Sequence, residues 1–394
     1  MINSLNVVGN YVPCTIPVFG SKTENLNLPI NNNSSITQTE SSRSNLIMQY
    51  LQNQAIYNNI FSDYNVSAPI YTPAFDDYTN IKTLDSKGNV VQNIEYKKDG
   101  NKLTQEIYVK AVNGSTIKKT IINDGNKKSM NLIILNKNGE ITGEESRTYE
   151  KLDNNKAIST HNGKIYKISG LLGNVITVEY NGQKKVIDLG KKIQQTLDTV
   201  ENKPTEKQIS KEQTEFLLES VKKLSGDIIM KFDNEIDKLV MLDTDQYEGY
   251  YRNENGVRKL KLSQNVKDDM TFMHELGHAI NCIDNKSENG DFELMSGDKD
   301  FVNTRKIELD KFKTYCKNDE VRKIMNKFTF ENWAQKGFRN YAEGQKYAQD
   351  EEFAEIIGFV NSMDIDKTNE RVPALLQFMP ESAEMIYRQN KNFF

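Results

Sequence analysis

The spacing of apolar and polar positions changes character twice along this 394-residue chain. Up to about residue 60, apolar residues are scattered among Asn, Ser, Thr and Gln, as in Asn31-Asn32-Asn33-Ser34-Ser35. So little apolar surface can be buried there that residues 1–65 read as a polar, largely disordered leader. From 66 to 195 the runs are short and β-branched, as in Ile107-Tyr108-Val109, Thr120-Ile121-Ile122 and Val175-Ile176-Thr177-Val178, with Lys and Glu interleaved. Turn dipeptides punctuate them at Lys87-Gly88, Asp99-Gly100, Asn113-Gly114, Asp124-Gly125, Asn138-Gly139, Asn162-Gly163 and Asn181-Gly182. Such pairs supply the positive φ of tight hairpins. The pattern predicts an antiparallel β-meander with one wet face. His161, beside Asn162-Gly163, reads as a surface turn residue.

After about residue 191 the period lengthens. Ile193, Leu197 and Val200 are helically spaced before Pro204, and Phe216, Leu217, Val221 and Leu224 predict a helix over 206–224, closed by Ser225-Gly226. Strand-like runs follow at 239–242, 249–251 and 257–262. Beyond 265 the pattern is mostly helical, with helices expected over 302–316 and 319–328. The expected fold class is α+β: an antiparallel β-rich domain over 66–195, then a mostly α-helical domain over 196–394.

The chemistry lies in that second part. Met270-Thr271-Phe272-Met273-His274-Glu275-Leu276-Gly277-His278-Ala279-Ile280 contains His-Glu-x-x-His, and two of the three histidines in the chain fall inside it. Val266, Met270, Met273, Gly277 and Ile280 form a stripe at helical spacing, and Asp268 and Asp269 suit a helix start. On a helix, residues four apart share a face, so both imidazoles can serve one Zn²⁺, with Glu275 placed to take a proton from a water on it. Gly277 costs about 1 kcal/mol in a helix interior, which makes sense if another backbone passes close by.

A catalytic zinc needs a third protein ligand. Glu351, in Asp350-Glu351-Glu352-Phe353-Ala354-Glu355, is one candidate. It shares a helix face with Glu355, so one carboxylate suits the metal and the other the N–H of a ligand histidine. Asp284 is the other candidate, six residues after His278, with Asn281 in a turn position and Met295 as a later Met turn.

Composition narrows the class. The net charge is -4 with both signs interspersed, which argues against a nucleic-acid partner. No run of about 18 apolar residues is present, so no membrane-spanning helix is expected. Cys14, Cys282 and Cys316 are too few for a disulfide framework. The N-terminus lacks a signal-peptide pattern, so the chain is expected to stay in the cytoplasm or to leave without a cleaved signal.

Residues 225 to 394 resemble the catalytic domain of anthrax lethal factor and its relatives, including the bacterial Pro-Pro endopeptidases. The matching features are Gly249-Tyr250-Tyr251, Lys259-Leu260-Lys261-Leu262, the His274 to Ile280 motif, Glu351-x-Phe353-Ala354-Glu355, and Val372-Pro373-Ala374-Leu375-Leu376-Gln377-Phe378. The resemblance implies a zincin-like fold, with His274, His278 and Glu351 as zinc ligands. It implies Glu275 as general base and Glu355 as the carboxylate behind a ligand histidine, with Glu352 as the alternative ligand if the alignment slips by one. It also implies an oxyanion-stabilising tyrosine. The family's position for that residue falls on Gly344, so Tyr341 is favoured and Tyr347 is its alternative. The stretch between His278 and Glu351 is longer than this family leads one to expect.

The function expected is a zinc metalloendopeptidase, a secreted or injected bacterial toxin or effector acting on a protein or peptide substrate bound in extended form. The strand at 257–262 is the expected pairing partner for that substrate. A rival reading makes the β-rich part a binding or adhesion surface, with a structural or self-processing zinc site.

Overall fold

The computed structural model describes residues 70–71, 78–85, 87–198, 204–244, 248–254, 256–266, 269–282, 297–316, 319–329, 341–364 and 371–394. The expected leader, Asp284 and Met295 lie outside these residues.

Eleven strands form one antiparallel sheet in strict chain order. They are β1 (Ile70–Tyr71), β2 (Tyr78–Leu84), β3 (Val90–Asp99), β4 (Lys102–Lys110), β5 (Thr116–Asp124), β6 (Lys127–Leu135), β7 (Ile141–Lys151), β8 (Lys156–His161), β9 (Lys164–Ser169), β10 (Val175–Tyr180) and β11 (Gln183–Asp188). The meander follows from the turns. Asn162 and Gly163 both adopt positive φ, at 48° and 79°, as the two-residue hairpin between β8 and β9 requires. Burial alternates along each strand, so one face is buried and the other meets solvent.

A short helix α1 (Leu189–Lys192) leaves the sheet. The helical spacing of Ile193, Leu197 and Val200 does not produce a helix over the described part. Thr196–Asp198 is instead strand β12, paired with β13 (Pro204–Gln208). Bridges from Ile193 to Leu239 and from Asp198 to Leu242 draw this stretch alongside a second sheet, and that tertiary pairing outweighs a three-residue periodicity. Helix α2 (Lys211–Lys222) then starts at a capping box between Ser210 and Gln213, not at 206. Helix α3 (Gly226–Glu235) follows.

The second sheet has three strands: β14 (Lys238–Met241), β15 (Gly249–Glu254) and β16 (Val257–Leu262). Their order is β14-β16-β15, with β14 parallel and β15 antiparallel to β16. The strand at 257–262 is therefore central and has both edges taken, which corrects its expected role as substrate partner. Among the described residues β15 is the edge with no strand beyond it.

The remainder is helical: α4 (Asp269–Asn281), α5 (Lys299–Tyr315), α6 (Asp319–Met325) running into a 3₁₀ turn at Asn326–Phe328, α7 (Tyr341–Asn361), α8 (Arg371–Phe378) and α9 (Pro380–Phe393). No described helix is long and apolar enough to cross a membrane.

The buried face of the large sheet is the platform for this layer. Helix α8 lies against β3 and β4, and α3 against β8 to β10. The apolar core runs without a break from Ile94 and Ile121 in the sheet to Phe272 and Phe353 in the helices. Polar ties join them too. Lys119 Nζ donates to the Ser362 carbonyl at 2.9 Å, and Tyr387 Oη to the Glu144 carbonyl at 3.0 Å. His161 belongs to this junction: it is 2% exposed, between Glu145 and Asp227, so the surface role expected of it is wrong. A turn signal at 162–163 says nothing about which face the preceding side chain takes.

Candidate metal centre

Helices α4 and α7 form an antiparallel pair fixed at three heights. At one end the Asp269 carboxylate accepts from Met363 N and Asp364 N, each at 3.1 Å, while Asp269 N donates to Asp364 Oδ2 at 3.0 Å. In the middle, a Cβ on Gly277 would lie 2.9 Å from Ala354 Cα, so the backbones meet where the sequence placed its helix glycine. At the far end Asn281 Nδ2 donates to Asp350 Oδ1 at 2.6 Å.

This register brings His274, His278 and Glu351 together. One donor atom from each lies within 4.8 Å of the others, and all three residues are buried. The two Nε2 atoms are 3.1 Å apart, and His274 Nε2 is 3.8 Å from Glu351 Oε2. Glu352 turns away and accepts from Arg305 Nε at 2.7 Å, so the one-residue slip is not what the fold adopts. Glu355 Oε2 stands 3.9 Å from His274 Nδ1, beyond hydrogen-bond reach.

Sequence reasoning missed three neighbours. Asp350 Oδ2 is 2.9 Å from His278 Nδ1, holding that ring from behind. Lys327 Nζ lies 2.5 Å from Glu351 Oε2 and 3.3 Å from Glu355 Oε1. Arg371 Nη1 lies 3.1 Å from Glu355 Oε1. A signal existed for Asp350. Successive helix residues turn by about 100°, so three acids in a row face three directions and need three partners. Here those partners are His278, the centre and Arg305.

The charges at the centre pull in opposite directions. Burial, then the nearby His278, Lys327 and Arg371 charges, hold His274 well below its usual pKa, so its ring is neutral. Burial also acts against charged His278, but the Asp350 carboxylate outweighs it and lifts the pKa to about 9. Burial raises Glu275 to about 8, against the opposing pull of His278. A divalent cation beside Glu275 would favour its ionised form.

The donor set fits a metal by a second criterion. Both carboxylate oxygens of Glu275 and of Glu351 are buried and lack hydrogen-bond partners in good geometry. Glu351 Oε2 has the Lys327 ammonium 2.5 Å away, and the Tyr251 amide faces Glu275. Buried oxygens left this way cost about 1–3 kcal/mol each or more when charged, unless a ligand takes them. Asp350, bound to His278 Nδ1, turns the Nε2 of that ring toward His274 Nε2.

Tyr341 is the first residue of α7, and the direction of its side chain lies outside the described residues. Tyr347 is 1% exposed and one helical turn before Glu351, so it shares that face of α7.

Asp350→Ala removes no donor atom, yet it should weaken metal binding by about 10–100-fold, because the His278 ring loses its anchor. Competition with a chromophoric chelator measures this. An unchanged affinity would show that Asp350 does not orient the ligand.

No protein-family model, curated protein or solved structure matches this chain.

Proposed function

We propose that this protein is a zinc-dependent endopeptidase with a zincin-like helical part, similar in its motifs to the lethal-factor family. The observation that carries the reading is the buried convergence of His274, His278 and Glu351 beside the unpartnered carboxylate of Glu275. The donor set of two imidazoles and one carboxylate suits zinc and leaves a position for solvent.

His274 and His278 would hold the ion through Nε2, and Glu351 through a carboxylate oxygen. When bound, zinc supplies Lewis acidity to a water and to the scissile carbonyl. Glu275 would accept the proton of an attacking water and deliver it to the leaving amine. Asp350 holds the His278 ring so that its Nε2 faces inward, and Glu355 lies behind His274. A tyrosine hydroxyl, from Tyr341 or else Tyr347, stabilises the developing oxyanion.

The substrate lies extended along β15. A Cβ on Gly249 of that strand would lie 3.3 Å from Glu275 Cγ, so the edge strand and the general base are in contact. Added main-chain hydrogen bonds would draw a peptide past the base. A secreted or injected toxin or effector is the setting that the likeness of these motifs to the lethal-factor family suggests.

Glu275→Gln keeps every ligand and should bind zinc as wild type does, while cleavage falls by about 10²–10⁴-fold. New protein termini are identified by mass spectrometry in a proteome exposed to each protein. Equal numbers of new termini would defeat the assignment.

A further inference from the structure

The face of β15 that points away from α4 carries Tyr250, Arg252 and Glu254, and cross-strand pairing sets Lys261 against Tyr250 and Lys259 against Arg252. With Asp198 this makes a cluster of three cations and two carboxylates among the described residues. The lysines take both carboxylates. Lys261 Nζ lies 2.9 Å from Asp198 Oδ2 and 2.7 Å from Glu254 Oε1, and Lys259 Nζ lies 2.6 Å from Glu254 Oε2. Arg252 Nε reaches Glu254 only at 3.7 Å. Its Nε and Nη1 are buried and make no hydrogen bond. The guanidinium side chain is 11% exposed, so it has lost most of its water and gained only that long contact with Glu254.

Such a donor pair is costly to leave unmade, and it sits on the edge strand, one residue past the Tyr251 amide that faces Glu275. Tyr347, on the ligand face of α7, lies within electrostatic range of it. In strand addition, the residue directly opposite Arg252 projects from the same face of the sheet. A carboxylate there would meet the guanidinium fork in the geometry that fork prefers.

The geometry points to Arg252 as a specificity residue that selects an acidic side chain, Glu or Asp, within about three residues of the cleaved bond at the strand rise of ~3.3 Å per residue. This rests on the peptidase reading for its role. The substrate class is therefore a protein segment that is extended and acidic near its cleavage point. Arg252 touches the substrate side chain and not the reacting atoms, so its removal alters selection and not metal content.

The test uses the full chain and alanine-rich peptides in which Glu, Gln or Lys is scanned through every position. Binding is read by fluorescence anisotropy with Glu275→Gln, and cleavage with the wild type. One position is expected to favour Glu over Gln and Lys in both assays. Adding Arg252→Gln should cut that preference about 30-fold or more, and Arg252→Glu should turn it toward Lys. Zinc content and melting temperature confirm that the variants are folded, and Arg252→Lys should restore part of the preference. No positional preference for Glu, a preference that survives Arg252→Gln, or no binding of any peptide would overturn the proposal. If acidic peptides bind through Arg252 and are never cut, the peptidase reading falls and the acidic site stands.

Discussion

Glu351→Ala should lose zinc affinity by more than the ~10–100-fold expected for Asp350→Ala, because a donor is removed and not only its support. The neighbouring Glu352→Ala makes the comparison decisive. Both residues are buried on the same turn of α7, and both are acidic. Glu352 binds Arg305, whose Nη2 also donates to the Phe328 carbonyl. Its loss leaves a buried guanidinium short of its counter-charge, a change that costs about 3–5 kcal/mol. Glu352→Ala should therefore melt at a lower temperature and bind zinc with near wild-type affinity once folded. Glu351→Ala should fold and bind little. Calorimetry and chelator competition on both variants separate the two roles. The reverse outcome would place the third ligand on Glu352.

Arg147→Met should destabilise the whole chain by about 3–5 kcal/mol. Arg147 is fully buried in β7 and pairs with Asp227 on α3. Its Nη2 donates to Asn361 Oδ1, at the end of α7, at 2.6 Å. His161 completes the cluster, with Nδ1 3.1 Å from Asp227 and Nε2 2.7 Å from Glu145. Removing the arginine leaves a surplus of buried negative charge. Denaturant midpoints measure the loss, and a change below about 1 kcal/mol would show that the sheet and helices do not depend on this junction.

The same cluster sets a pH dependence. Burial opposes charge on His161, but hydrogen bonds to Asp227 and Glu145 prevail and raise its pKa above 6.5. Its contribution is present in full below 6.5 and fades as pH rises through the raised value. Glu145 and Asp227 are shifted down, Asp227 by the Arg147 charge against its own burial. Their contribution is present above the ordinary carboxylate range and is lost on acidification. In His161→Gln the decline on the alkaline side should disappear.

Much of this was legible because it is local. The β-meander is written in its Asn-Gly and Asp-Gly turns, and the metal-centre helix in a motif whose two histidines must share a face. Gly277 announced a close backbone, and Ala354 supplies it. What the sequence hid is long-range. Nothing at 193–198 indicates that Leu239 and Leu242 wait alongside. The run of acids at 350–352 shows that each needs a partner, not that the partner of Asp350 lies on α4, or that Lys327 and Arg371 gather on Glu351 and Glu355. Sheet order also had to be seen, since adjacency in sequence does not reveal that β16 is enclosed while β15 is an edge among the described residues.

Strict chain order in the eleven-stranded sheet bears on how the molecule assembles. Each strand pairs only with its sequence neighbours, so every hairpin closes a short loop at small entropic cost. The helices, by contrast, find their partners hundreds of residues upstream, as Gln377 does with Gln92. During synthesis the sheet emerges first and can zip up hairpin by hairpin. The paired histidines and their distant glutamate converge only once α4 and α7 have both settled onto it, so a nascent chain that ends before Glu351 would lack the candidate metal centre.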